Sequence, residues 1–413
     1  MSKKDNVTAV PKYRFPEFAL DASIDYVAGG FIFDPITNRN HHVDLPILAI
    51  TQEYGAIPRD EIDYKVSVTK KSLKAYKIVE KGDFIISLRS FQGGIEYSMY
   101  DGICSPAYII LRKKTNIIDQ YYKYYFKSHR FIQDLNKDLE GIRDGKMISY
   151  GQFSSILLPK PDEEEQQKIV DCLSSIDDLI SVEEKKLSLL NDYKKGWMQK
   201  LFPVEEKTIP EWRFLEFRDD NNWKCVEIET VGKVITGKTP PTSNDSLWNG
   251  SIQFVTPTDI AGDKYQRLVQ RTVVKTSKMK VLPKGTIMFT CIASIGKMAI
   301  SVYPCITNQQ INSIITNKGY YNEFIYYSLF RNVNKIKSDL SNTTVPIINK
   351  TNFSKIKIFV TLNEKEQEKI ANFLSGIDEL ISNQKEKIEK LKQHKKALMQ
   401  GLFPAAEEVC KCV

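Results

Sequence analysis

Two stretches of the chain place apolar residues at alternating steps of four and three, the spacing of a coiled-coil seam. The first seam reads Ile169, Leu173, Ile176, Ile180, Leu187, Leu190, Trp197, Leu201, and the second Ile370, Leu374, Ile377, Ile381, Ile388, Leu391, Leu398, Leu402. Polar Glu183 and Lys194 interrupt the first where Gln384 and Lys395 interrupt the second. The segments are copies at a constant offset of 201 residues, since 364 − 163 and 404 − 203 agree. Asp162 with Glu165, and Asn363 with Glu366, predict helix starts in which an N-cap acceptor is followed by a carboxylate that reaches back. Pro203 and Pro404 are expected to end the helices.

The 33 residues from Ile169 to Leu201 make a rod of roughly 50 Å at about 1.5 Å per residue. Such a rod must cover its apolar stripe, either on its own preceding segment or on the other rod. Equal length and matched seams favour an antiparallel pair, with a pseudo-twofold axis relating the two preceding units. Those preceding segments are longer and β-rich, and they share an opening, PKYRFPEF at Pro11 and PEWRFLEF at Pro210. The expected division is therefore a domain at 11–161, a helix at 162–203, a second domain at 204–361 and a second helix at 362–404. The fold class is α/β (α+β).

Composition fits that plan. The chain has 413 residues, 42% apolar and 27% charged, which is folded globular material of more than one domain. No run approaches 18 apolar residues and the start, Met1 to Lys12, is polar, so neither a membrane span nor a signal peptide is expected and the cytoplasm is the expected compartment. Seven cysteines without a C-x-x-C pair suit a reducing compartment and no disulfide framework.

The net charge of +8 is mild, but it is unevenly spread. Residues 11–161 carry +3 and 204–361 carry +8, against −4 and +1 on the two helical segments. Runs of basic residues, Lys65, Lys70, Lys71, Lys74, Lys77, Lys81 in the first domain and Lys264, Arg267, Arg271, Lys275, Lys278, Lys280, Lys284 in the second, occupy comparable places in the two copies. A solvated face explains either run singly; the pair favours a polyanion track.

Several motifs point elsewhere. Gly232 to Thr239, GKVITGKT, matches the phosphate-binding loop G-x-x-x-x-G-K-[ST], which raises a P-loop NTPase as an alternative. That loop needs a helix directly after Lys238 and Thr239, and Pro240, Pro241 and turn formers follow instead. Pro161 and Asp162 with later carboxylates faintly suggest a nuclease, but capping explains Asp162. His41, His42, His129 and His394 are scattered, so no metal cluster or Cys-His pair is indicated. The N-P-P-[YF] signature that amino-methyltransferases use on a flipped base and a Gly-rich cofactor loop after a strand are both missing. Tyr121, Tyr122, Tyr124, Tyr125 and Phe126 could stack on bases, yet inward packing is the expectation. No catalytic residue and no metal ligand is assigned.

Taken together, the pieces resemble the specificity subunits of type I restriction-modification systems, the HsdS family. The resemblance rests on the two PxxRFxEF openings, on GKTPPTSNDSLWNG with FVTPTDI, LPKGTIMFT, IGKMAI and TNQQINSII, on KGDFIISLRSFQGG with GICSPAYIILR, and on the duplicated EQxKI…LSxID…LI…LFP helices. It covers nearly the whole chain. It implies two target recognition domains, each followed by a long spacer helix, and a non-catalytic subunit that reads a bipartite, asymmetric site in double-stranded DNA from base edges. The rods would act as a ruler, since half-sites one helical turn apart lie on the order of 34 Å from one another. Two methyltransferase subunits and a restriction/translocase subunit are the implied partners, bringing S-adenosylmethionine, ATP and Mg. The implied DNA-binding residues are Lys238, Thr239, Asn244, Lys297, Asn308 and Gln309, with Arg267, Arg271 and Lys275 on phosphate, in the second domain. In the first they are Arg89, Ser90, Gln92 and Arg143, with Lys70 and Lys71 on phosphate.

Overall fold

A computed structural model describes residues 7–21, 23–40, 45–62, 70–137, 148–204, 207–260, 262–277, 279–340, 347–403 and 410–411. The chain forms two compact units, Met1–Val182 with Ile388–Val413, and Glu183–Lys387. Each unit therefore contains the start of one long helix and the end of the other.

In the first unit β1 (Phe33–Ile36), β2 (Phe84–Ile86), β3 (Glu96–Tyr97) and β4 (Ile109–Lys113) form an antiparallel sheet in the order β1-β4-β2-β3. In the second, β5 (Gly232–Thr236), β6 (Tyr265–Gln266), β7 (Ile287–Thr290), β8 (Met298–Ser301) and β9 (Ile311–Thr316) lie in the order β5-β9-β7-β8-β6. Apart from β6, which adds on parallel to β8, the order is the same: first, last, second, third. A smaller strand pair precedes each long helix, Ile24–Ala28 with Leu157–Pro159 and Lys224–Glu227 with Lys357–Val360. In the first unit that sheet continues through Val7–Ala9 to Cys410–Lys411. The duplication thus extends into segments whose sequences share little.

The core of the first unit is aromatic. Phe33, Phe84, Tyr121, Tyr122, Tyr125, Phe126, Phe131 and Phe153 are fully buried, with edge-to-face pairs such as Phe33–Tyr122 at 5.4 Å and Phe84–Phe126 at 5.1 Å. Tyr124 is buried too and donates to Asp177 of the first long helix at 2.9 Å. These tyrosines pack inward, as expected.

The long helices span Glu163–Leu201 and Glu364–Leu402. Every predicted seam residue is buried or half-buried. Ile169 and Leu173 share a core with Leu402 and Phe403, while Ile370, Leu374, Ile377 and Ile381 share one with Leu201 and Phe202. Both ways of covering a rod therefore hold at once: each start packs on its own domain and on the end of the other helix. The pairing is antiparallel, because Asp177 meets Lys395 at 2.6 Å, Glu183 meets Gln384 at 2.6 Å and Asp378 meets Lys194 at 2.5 Å.

Two expectations need correcting. Asn363 does cap, accepting from Lys365 N at 3.0 Å, but Glu366 does not reach back to it; its carboxylate takes two bonds from Arg213 at 2.7 Å. Glu165 likewise takes two bonds from Arg14 at 2.8 Å. A guanidinium offers a charge-assisted fork that a backbone amide cannot match. Pro203 follows the first helix as expected; Pro404 lies outside the described residues. Among the described residues no helix is long and apolar enough to cross a membrane.

Candidate nucleic-acid interface

The strand register gathers the predicted loop residues. In the second unit Thr236 pairs with Asn312, Thr290 with Ile311 and Phe289 with Met298. One end of the sheet therefore carries the exit of β5, the entry of β9 and the hairpin between β7 and β8. Lys238 and Thr239 follow β5, Asn308 and Gln309 precede β9, and Lys297 closes the hairpin. Lys238 N donates to Thr307 O at 2.8 Å and Thr239 Oγ1 to Gln309 Oε1 at 2.8 Å, while Lys238, Gln309 and Lys297 stay exposed. Gly237 permits this approach: a Cβ there would lie 2.2 Å from Asn308 O and 2.3 Å from Thr307 O.

Asn244 caps the turn Asp245–Leu247 and belongs to the same loop through a residue that sequence reasoning missed. Trp248 is buried, its indole N–H donates to Pro241 O at 3.2 Å, and Arg271 stacks its guanidinium 3.6 Å over the ring. The stack ties Arg271 to the loop that carries Lys238, Thr239 and Asn244. The only signal for it was a tryptophan directly after a polar, proline-containing loop. Lys275 is exposed just beyond the strand Arg271–Val273. Arg267 is not brought to this place. Because β6 runs parallel to β8, Arg267 leaves the sheet at its opposite end, exposed and 5.6 Å from the Tyr265 ring.

The first unit repeats the arrangement. Ile36 pairs with Ile110 and Ile86 with Ile109, so the exit of β2 lies at the equivalent end. There Arg89 and Gln92 are exposed on the turn around the short helix Ser90–Gly93. Lys70 and Lys71 open the short helix Lys70–Leu73, their side chains outside the described residues, as is Arg143.

Two predicted contacts are turned inward. Ser90 is buried and its Oγ accepts from Ser87 N at 2.9 Å. Asn308 is buried and exchanges bonds with Gln310, Nδ2 to Oε1 at 2.8 Å and Oδ1 from N at 3.1 Å. Both shape turns and have little surface to offer a base edge. Each basic run has one described member turned inward in the same way. Lys264 is buried and donates to Glu323 at 2.9 Å and Ser375 at 2.5 Å. Lys77 is buried, donates to Tyr108 O at 2.6 Å, and has its pKa lowered by that burial. Lys65 and Lys278 lie outside the described residues. The other described members, Lys74 and Lys81 in the first run and Arg267, Arg271, Lys275, Lys280 and Lys284 in the second, are exposed.

The phosphate-loop reading lacks its helix. Thr239 is followed by an irregular loop and the three-residue turn Asp245–Leu247, so no row of helical amides faces Lys238.

Comparison with known proteins agrees with this duplicated layout. The family model for the type I restriction modification DNA specificity domain matches residues 31–192 and 220–393, more than half of the chain. The type I restriction enzyme MjaIX specificity subunit of Methanocaldococcus jannaschii is 34% identical over 191 residues, so this chain spans 44% of that relative's length. The MjaVIII specificity subunit of the same organism is 27% identical over 375 residues, 84% of this chain and 83% of the relative. Among solved structures, the S subunit of a type I restriction-modification system from M. genitalium shares the fold, with a TM-score of 0.56 over 96% of this chain and 99% of its own, at 15% identity.

Proposed function

The chain belongs to the type I restriction-modification DNA specificity family, and from that premise we propose that it selects the DNA sequence on which a type I complex acts. Each unit reads one half of a bipartite, asymmetric site in double-stranded DNA, and the subunit itself performs no bond chemistry. The observation that carries this reading is the placement of unlike side chains at the same end of the same sheet in both copies: Lys238, Thr239, Asn244, Arg271, Lys297 and Gln309 in one, Arg89 and Gln92 in the other. A constant scaffold with differing loops suits two half-sites of different sequence. Lys275, and at more distance Arg267, supply positive charge around the second site, as Lys70, Lys71 and Arg143 would around the first.

The helices set the spacing between half-sites and offer a surface to methyltransferase subunits, two of them by the duplication. Those subunits carry S-adenosylmethionine, and a restriction/translocase subunit carries ATP and Mg. The test is to co-express the chain with its methyltransferase subunit and map modified adenines. One split motif with a fixed spacer is expected; a continuous motif, or none, overturns the reading. In the same assay Lys238→Ala or Gln309→Ala relaxes the motif in one half only, by roughly fivefold to 150-fold for a contact worth about 1–3 kcal/mol.

A further inference from the structure

The net charge of +1 on the second helical segment conceals an asymmetry along it. Residues 362–387 carry six acidic and four basic side chains, whereas 388–404 carry one acidic and four basic. That basic end belongs to the first unit, where Lys392, Lys395 and Lys396 meet Lys127, Ser128, His129 and Arg130 around a cavity of about 540 Å³ floored by Ile132, Met399 and Phe403. Among the described residues no carboxylate lines it.

Carboxylates hold cations of this rim from behind. Lys127 pairs with Glu96 at 2.6 Å, Arg130 with Asp134 at 2.5 Å and Lys395 with Asp177 at 2.6 Å. Lys392 and Lys396 are exposed one helical turn apart, and His129 is exposed beside them. The cavity wall also grips the turn assigned above to the first half-site. Lys127 Nζ donates to Gly93 O at 3.0 Å, and Asn136, at the far end of the helix His129–Asn136, donates to Phe91 O at 2.7 Å. Arg89 and Gln92 thus stand on a turn fastened to this basic wall.

We propose that Lys392 and Lys396, on the end of the second long helix, bind the phosphate backbone of the DNA whose bases the first unit reads. The proposal rests on the DNA-reading function and adds to it a contact from an element whose role is otherwise spacing. A rim that gathers Lys127, Arg130, Lys392, Lys395 and Lys396 around one cavity is a potential well for a polyanion, and its attachment to the Arg89 turn places that well beside the expected duplex. At the positions 201 residues earlier stand Asn191 and Lys195, so the contact is one-sided: the first half-site gains an anchor that the second does not have in full.

The test compares the full chain with Lys392→Gln/Lys396→Gln on a fluorescent duplex of the mapped sequence and on an unrelated duplex, over a series of salt concentrations. The double variant is expected to lower the slope of log K against log salt by roughly 1.8, at about 0.9 per phosphate contact, equally on both duplexes. Lys392→Arg/Lys396→Arg should restore it. Both sites are exposed, and an unchanged Tm confirms that folding is intact. An unchanged slope with normal wild-type binding overturns this proposal alone. An unchanged slope with lost co-purification of the methyltransferase overturns it too, and makes the patch a seat for an acidic protein segment. Wild-type binding that does not respond to salt overturns the DNA-reading function as well.

Discussion

Arg213 and Arg14 show how much a single side chain can settle. Each comes from an RF pair in a domain opening and crosses to a helix start 153 or 151 residues away, where it grips a buried glutamate with two bonds. Glu366 is 0% exposed, so Arg213→Ala strands a charge and should cost about 3–5 kcal/mol, read from denaturant midpoints. Glu323 supplies a pH signature. Burial alone would raise its pKa, but bonds from Lys264 and Tyr265 outweigh burial and hold it below the usual carboxylate value of 4.5. A depressed carboxylate contributes stability above its unfolded pKa and loses it as pH falls through the folded one. Wild type should therefore weaken below about pH 4.5, and Glu323→Gln should flatten that loss in thermal melts. Neither partnership was legible in sequence. A glutamate three residues after a cap reads as a capping residue, and nothing local announces an arginine or lysine arriving from another part of the fold.

At the level of elements, the helices were legible because a seam of twenty or more residues repeats its signal at every turn, and because a copy confirms it. The sheets were not. Their strands are short, β2 and β3 having three and two residues, and β7 and β8 are buried at every position, so no alternation of apolar and polar residues marks them. A list of charges likewise does not reveal that Lys264 and Lys77 face inward. Seam packing predicts that Leu374→Ala, at a fully buried position, costs about 2–5 kcal/mol. Gly237→Ala tests the loop platform. Its Cβ would collide with two carbonyl oxygens, so the variant should lose about 1–3 kcal/mol and should disturb Lys238 and Thr239 together, read as a relaxed half-motif by methylation mapping.

For the molecule as a whole, duplication was the most legible property, and the structure extends it beyond the sequence likeness, from helix to strand order to matching contacts. Lys194–Asp378 and Lys395–Asp177 are one interaction made twice. If the helices set the half-site spacing, deleting one heptad from each should shorten the DNA spacer by about three base pairs, from about 10 Å of helix. Mapping the motif of that variant would show it, and an unchanged spacer would detach the helices from that role.

Glu183 and Gln384 are separated by 201 residues, which makes each the image of the other, and they touch. Gln384 donates to the Glu183 carboxylate at 2.6 Å and to its carbonyl at 3.0 Å, with Lys387 on the second oxygen at 2.5 Å. The two equivalent positions carry unlike residues, and two glutamates facing one another there would repel. Because both copies lie in one polypeptide, the two positions need not be identical: one accepts and the other donates. Gln384→Glu would set two carboxylates face to face and should lower the Tm at neutral pH, with recovery in acid as they share a proton.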